Sequence, residues 1–291
     1  MDTDTYTADP QTQETEAQHL WDGGKSPMKV SYGKMMMWYF LLSDAFTFGG
    51  FLIAYGALRF SVPTWPLPDV VFSTFPGGLH HKPLIFVTFM TFVLILSSVT
   101  MVRAVQEGKR ENRKGVVKWM LLTIIGGLTF LSCQAWEWTN LIAKEHMSLT
   151  TNPFGTHVYD GVYLSEDGKT DAKNEEGAID AFTAGHTYLI HKVDGEWHKR
   201  KFRITDGDLK GEIAQESFGP RAFGALFFFI TGFHGFHVFS GVLFLTIIML
   251  NAAGGLYIRR KNGYEMVEKI GLYWHFVDLV WVFVFLVFYL L

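Results

Sequence analysis

Five long apolar runs constrain this chain more than any other feature. They lie at about 35–60, 83–105, 116–142, 220–252 and 266–291. Each is long enough to cross a bilayer as an α-helix, which needs about 20 apolar residues. Only 18% of the 291 residues are charged, against about 25% in soluble domains. The sequence therefore predicts an all-α polytopic membrane protein with a bundle of five transmembrane helices.

Polar segments divide the chain into four parts. Residues 1–30 form an acidic tail that lacks the basic start and apolar core of a signal peptide. Residues 31–144 hold three spans and residues 220–291 hold two. Residues 145–219 contain the alternating pattern HTYLIHKVDGEWHKRKFRI, with Asp194-Gly195 at its centre, which favours a tight β-hairpin. We therefore expect a small β-containing insertion that packs on the membrane body or on a partner.

Lysine and arginine in the short loops predict the orientation. A basic cluster from Lys109 to Lys114 follows the second span, and Arg259, Arg260 and Lys261 follow the fourth, whereas the connector after the first span has only Lys82. Short loops rich in basic residues face the cytoplasm. We expect a cytoplasmic N-terminal tail, an extracytoplasmic insertion and an extracytoplasmic C-terminus. Arg259 and Arg260 are also candidates for binding lipid headgroups.

The single cysteine and the net charge exclude several classes of protein. Cys133 alone cannot supply a disulfide framework, a four-thiolate metal site, a c-type haem attachment or a binuclear copper site. The formal net charge of -3 gives no basic surface for nucleic acid. The sequence shows no nucleophile–base set, phosphate loop or metal-ligand cluster, so we expect no catalytic, cofactor-binding or metal-binding residue in this chain.

Polar side chains inside the apolar runs are the candidate functional residues, because each costs roughly 2.5–3.5 kcal/mol at the centre of a membrane helix. They are Asp44, Gln134, Glu137, His234, His237, Glu268, His275 and Asp278. The last three fall within about 80° of arc at 100° per residue and form one stripe. Each residue has a structural alternative, a hydrogen bond between helices. A further alternative is b-type haem ligation by His234 or His237, with His275 as the evident partner in another span.

Taken together, several motifs closely resemble those of subunit III of the haem–copper terminal oxidases. The motifs are SYGKMMMWYFLLSDAFTF at 31–48, SSVTMVRA at 97–104, LSCQAWEW at 131–138, TGFHGFHV at 231–238 and YWHFVDLVWVF at 273–283. Glu268, seven residues before His275, matches the family glutamate of the same helix. The motifs occur in family order and cover every span. From the residues without this resemblance, a transporter, a channel and an accessory subunit all remain open.

The resemblance implies an integral subunit of a cytochrome c or quinol oxidase in a bacterial inner membrane. Haems and copper are expected on the partner subunits I and II, with a subunit IV where one is present, and phospholipids are expected to be bound. The implied role is to stabilise the catalytic subunit, hold lipids and assist proton uptake from the cytoplasmic side. The chain is similar to the short five-helix form, which lacks the first two of seven helices. Asp44 stands where the family usually has a glutamate.

The insertion 145–219 stands where the family usually has a short loop. We expect it to contact an outward-facing domain of another respiratory subunit or complex, or a cytochrome c domain. A quinol oxidase subunit III is the alternative within the family. The alternatives from other classes are a proton- or ion-coupled transporter that uses the buried acids, and a b-type cytochrome subunit.

Overall fold

Five helices long and apolar enough to cross a membrane dominate the structure, a computed structural model that describes residues 30–74, 84–165, 170–173, 177–259 and 263–291. The helices, including two single turns, are α1 (Tyr32–Ser61), α2 (Pro68–Val71), α3 (Ile85–Lys109), α4 (Arg113–Ala143), α5 (Arg221–Ala253), α6 (Leu256–Arg259) and α7 (Glu265–Phe285). A π-helical segment, Leu286–Leu290, continues α7. The five predicted spans and the all-α membrane fold are confirmed.

The turn between α3 and α4 shows how local chemistry separates two spans. Glu111 adopts the left-handed conformation, with φ of 57°. Asn112 then caps α4, because its side-chain oxygen accepts a hydrogen bond from the Gly115 backbone N–H at 3.3 Å. The Asn112 amide also donates to Glu107 at 2.6 Å. These bonds reverse the chain within a few residues and place α3 and α4 side by side.

Helix α7 lies at the centre of the bundle and packs against α1, α3 and α5, while α4 packs between α3 and α5. Its indole side chains Trp274 and Trp281 are fully buried. Close packing around Trp274 requires glycines on the facing helices, since a Cβ at Gly127 would lie 2.6 Å from the Trp274 ring. Helix α1 packs against α5 and α7 and leaves much of its surface exposed.

Eight short strands lie in the described part of the insertion between α4 and α5. They are β1 (Phe154–Thr156), β2 (Gly161–Tyr163), β3 (Ala181–Phe182), β4 (Thr187–Leu189), β5 (His191–Val193), β6 (Glu196–His198), β7 (Lys201–Ile204) and β8 (Ile213–Gln215). Strand β1 pairs with β4, β5 pairs with β6, and the remaining strands form an antiparallel sheet in the order β3-β2-β7-β8. The predicted hairpin is confirmed, because Asp194 and Gly195 connect β5 and β6 with φ of 51° and 89°.

The insertion has two layers. Met147 and Phe154, from its first part, belong to the same hydrophobic core as the membrane helices. The Leu67 backbone N–H donates to the Thr187 hydroxyl at 2.9 Å, which ties β4 to the connector after α1. The four-stranded sheet has a separate small core of Tyr163, Phe182, Phe202 and Ile204. The first layer therefore packs on the membrane body, whereas the sheet has a core of its own.

Replacing Gly127 tests the packing at the centre of the bundle. A Cβ there would also lie 2.7 Å from Val242 Cγ2, so Gly127→Val must separate α4 from α5 and α7. We expect a loss of about 1–3 kcal/mol in stability, seen as a lower thermal unfolding midpoint in detergent by circular dichroism. Gly50→Ala is the control, because nothing lies within 4 Å of its Cβ position. An unchanged midpoint for Gly127→Val would contradict this packing.

Candidate functional site

The predicted polar residues of α1 and α5 meet as a buried pair. Asp44 Oδ2 lies 3.1 Å from His237 Nε2, and both side chains are buried. His237 Nδ1 is 2.8 Å from the Phe233 carbonyl oxygen, so this nitrogen carries a hydrogen and donates it. A hydrogen bond between Nε2 and Asp44 then needs one further proton, held by either the imidazolium or the carboxylic acid. An acid and an imidazole therefore face each other in the buried part of the bundle.

Gln134 and Glu137 share one face of α4, as their spacing predicts, and each binds a different neighbour. The Gln134 amide donates to the Thr231 carbonyl oxygen of α5 at 2.7 Å. Glu137 accepts a hydrogen bond from the Tyr289 hydroxyl of the π-helical segment at 3.0 Å. Sequence reasoning missed the next residue on this face, Asn140, whose amide donates to Thr74 at 2.7 Å. Its three-residue spacing from Glu137 was the available signal.

His234 and His275 bind different parts of the bundle. His234 is fully buried, and its Nε2 donates to the Val277 carbonyl oxygen of α7 at 3.0 Å. The rings of Phe130 and Trp281 lie 5.7 and 5.0 Å from its ring. His275 Nδ1 instead lies 2.6 Å from the Ser98 hydroxyl of α3. Among the described residues, no group of three or more His, Cys, Asp or Glu side chains is placed to hold a metal ion.

The predicted stripe on α7 is divided between two neighbouring helices. Glu268 lies 2.8 Å from the Lys34 ammonium of α1 and is partly exposed. His275 and Asp278 both face Ser98 of α3. The stripe therefore joins α7 to α1 at one level and to α3 at another. Of the two headgroup candidates, Arg259 ends α6 with an exposed side chain, and Arg260 lies outside the described residues.

A second polar cluster, in the insertion, was not predicted. The Tyr163 hydroxyl donates to Glu216 at 3.1 Å and accepts a hydrogen bond from His157 Nε2 at 2.8 Å. The Arg200 side chain also donates to Glu216 at 3.0 Å, and its guanidinium lies 3.7 Å from the centre of the Tyr163 ring. The His157 ring stacks on Phe182 at 3.5 Å. Burial lowers the pKa of His157 to about 3 and raises the pKa of Tyr163.

These observations define a five-span helical membrane protein in which polar side chains within the spans bind neighbouring helices. The family model described as Cytochrome c oxidase subunit III matches residues 212–291. Cytochrome c oxidase subunit 3 of Alkalihalophilus pseudofirmus is 24% identical over 87% of this chain and 84% of that protein. Quinol oxidase subunit 3 of Bacillus subtilis is 25% identical over 87% of this chain and 84% of that protein. The resemblance to subunit III of the haem–copper terminal oxidases is confirmed.

Ser98 offers a test of the α3–α7 contact. We expect Ser98→Ala to leave His275 and Asp278 without their partner and to cost about 1–3 kcal/mol of stability in detergent. Combined with His275→Leu, the loss should be smaller than the sum of the two single losses, because the shared bond is removed once. Ser132→Ala is the control, since that exposed hydroxyl donates to the Leu128 carbonyl oxygen of its own helix. Additive losses would contradict direct coupling.

The buried imidazole of His157 predicts a pH dependence of the insertion. Between about 6.5, the pKa of a free imidazole, and the folded value of about 3, the unfolded chain binds a proton here and the folded insertion does not. The stabilising contribution is complete above about pH 6.5 and declines as pH falls. We expect amide exchange in β2 and β7, corrected for intrinsic rates, to rise between about pH 6.5 and pH 4.

Replacing His157 separates its contribution to the pH dependence from the contributions of other residues. His157→Phe should remove this component of the pH dependence, because the phenyl ring keeps the stack on Phe182 and binds no proton. His198→Phe, at an exposed position in β6, should leave the pH dependence unchanged. The explanation is wrong if exchange in His157→Phe follows the same pH profile as in the parent protein.

Proposed function

We propose that this chain is the non-catalytic subunit III of a proton-pumping haem–copper oxidase, preferentially a cytochrome c oxidase, in a bacterial aerobic respiratory chain. The observation that carries the proposal is that the motif residues are used for bonds between helices. Gln134, Glu137 and His234 each bind a group on another helical segment. A chain built in this way is suited to act as a scaffold that stabilises the catalytic subunit, while subunits I and II carry the haems and copper.

Two apolar grooves support a role in holding lipid. One, of about 740 Å³, lies between α4, α5 and the first residues of the insertion and includes Trp138, Phe229 and Gly232 in its lining. The other, of about 470 Å³, lies between α1, α5 and α7, with Phe40 in its lining and Lys269 at one end. Apolar walls suit acyl chains, and an ammonium at the end of a groove suits a phosphate headgroup. Arg259 and Arg260, after α5, have the same headgroup chemistry.

Acidic residues at the expected cytoplasmic end support a role in proton uptake. A cavity of about 390 Å³ there includes Glu265, Glu268 and Lys109 in its lining. The Asp44–His237 pair lies deeper in the bundle and is able to hold a proton. Carboxylates at a surface and a buried acid–imidazole pair are the groups that collect and keep protons. The basic short loops support the cytoplasmic placement of this end.

The electron donor of the complex is determined by a site on other chains. The relatives include cytochrome c oxidase and quinol oxidase subunits at nearly equal identity, 24% and 25%. A quinol oxidase subunit III is therefore the second candidate.

For the insertion 145–219, the separate core of its four-stranded sheet supports a contact with an extracytoplasmic domain of another respiratory component.

Affinity purification of the tagged chain tests the function. From its native membrane, the chain should co-purify with subunits I and II and show their haem spectrum and oxygen consumption. Expressed without those subunits, it should show no haem absorbance. A haem spectrum of the lone chain would support the b-type cytochrome instead, and ion or proton flux through the lone chain in liposomes would support the transporter. The electron donor that restores turnover distinguishes a cytochrome c oxidase from a quinol oxidase.

A further inference from the structure

One end of the four-stranded sheet carries an exposed apolar patch. Its members, the end patch, are Val158, Tyr159, Leu209 and Ile213, which are 51%, 40%, 37% and 60% exposed. The Tyr159 ring lies 3.8 Å from the position of a Cβ at Gly207, so the loop before β2 touches the β7–β8 loop. The Glu212 backbone N–H donates to the Leu209 carbonyl oxygen at 3.0 Å, which keeps Leu209 close to the start of β8.

The segments that carry the end patch are strongly acidic. Residues 158–160 and 205–213 contain the carboxylates Asp160, Asp206, Asp208 and Glu212 and a single cation, Lys210. On β7, the nearby Arg203 is paired with Asp171. An apolar centre with a charged rim is typical of protein interfaces. A rim of one sign also steers a partner of opposite charge.

Backbone hydrogen bonds hold this end of the sheet in one shape. The Thr205 N–H donates to the Asp160 carbonyl oxygen at 3.0 Å, and the Gly211 N–H donates to the Ile204 carbonyl oxygen at 2.9 Å. The Asp160 side chain accepts from the Ala184 N–H at 2.7 Å. A rigid surface binds with little loss of conformational entropy. The β1–β4 layer shares the core of the membrane helices, whereas the end patch belongs to the sheet that has its own core.

We infer that the end patch is the docking surface of the insertion for a protein with a basic face, one in which lysines or arginines surround an apolar centre. This inference rests on the proposed extracytoplasmic contact of the insertion. The contact is transient, because the apolar area is small and much of the attraction comes from solvent-exposed charges, which salt screens.

Zero-length carbodiimide cross-linking on native membranes tests the inference, since it joins carboxylates to lysines in direct contact. The readout is the yield of cross-links from Glu212 to lysines of another polypeptide, identified by mass spectrometry. We expect these cross-links at low ionic strength and their loss at about 0.5 M salt. The test variant is Asp206→Asn with Asp208→Asn, because an amide in place of the Asp206 carboxylate keeps the side-chain oxygen that accepts from the Gly207 N–H. The Glu212 yield should fall about threefold or more.

The control variant is Asp194→Asn with Glu196→Gln, which removes two exposed carboxylates from the β5–β6 hairpin and should keep the Glu212 yield. Equal yields in the two variants would overturn the inference. So would cross-links from Glu212 to lysines of this chain alone, or a partner whose linked lysines lie on a net acidic surface. The salt dependence of the Glu212 cross-links is measured on the parent protein alone. Co-purification of the oxidase subunits, measured on the same membranes, reports separately on the proposed function.

Discussion

Hydrocarbon offers no hydrogen bonds, so a polar side chain within a membrane span must find its partner inside the protein. This constraint determines how the helices of the chain recognise one another. Gln134 reaches a backbone carbonyl of α5, and His234 reaches a backbone carbonyl of α7. Each bond adds a directional constraint on the rotation and the height of one helix against the next, beside the close packing of small and large side chains.

In the contact between α3 and α7, large aromatic side chains of α7 bind small hydroxyl side chains of α3. Trp274 Nε1 donates to the Ser97 hydroxyl at 3.1 Å, and Trp281 Nε1 donates to the Thr91 hydroxyl at 3.0 Å. Each indole thus fills a large volume in the core and places its one donor on a small hydroxyl. Ser98, next to Ser97, faces His275. A row of small hydroxyl side chains on α3 therefore receives the largest side chains of α7, and the two helices fit in one register.

Much of this fold can be predicted from the sequence, because its strongest signals are local. A run of apolar residues of membrane length predicts a span, and Asp194-Gly195 between alternating strands predicts a hairpin. The partners of the polar residues could not be predicted, because they depend on how helices distant in sequence are arranged. Glu268 and His275 share a face of α7 but bind α1 and α3. The cluster around Tyr163 was missed because its partner Glu216 is 53 residues away.

The two layers of the insertion have different hydrophobic cores, and His157 contacts both layers. The β1–β4 layer shares the core of the membrane helices, whereas the sheet has a small core of four side chains. His157 joins them, since its ring lies 4.4 Å from Tyr188 of β4 and stacks on Phe182 of β3. A neutral imidazole suits this position, because it donates to Tyr163 while its flat ring is buried among aromatic rings. The shape of the four-stranded sheet thus depends on a residue that tolerates burial only without its charge.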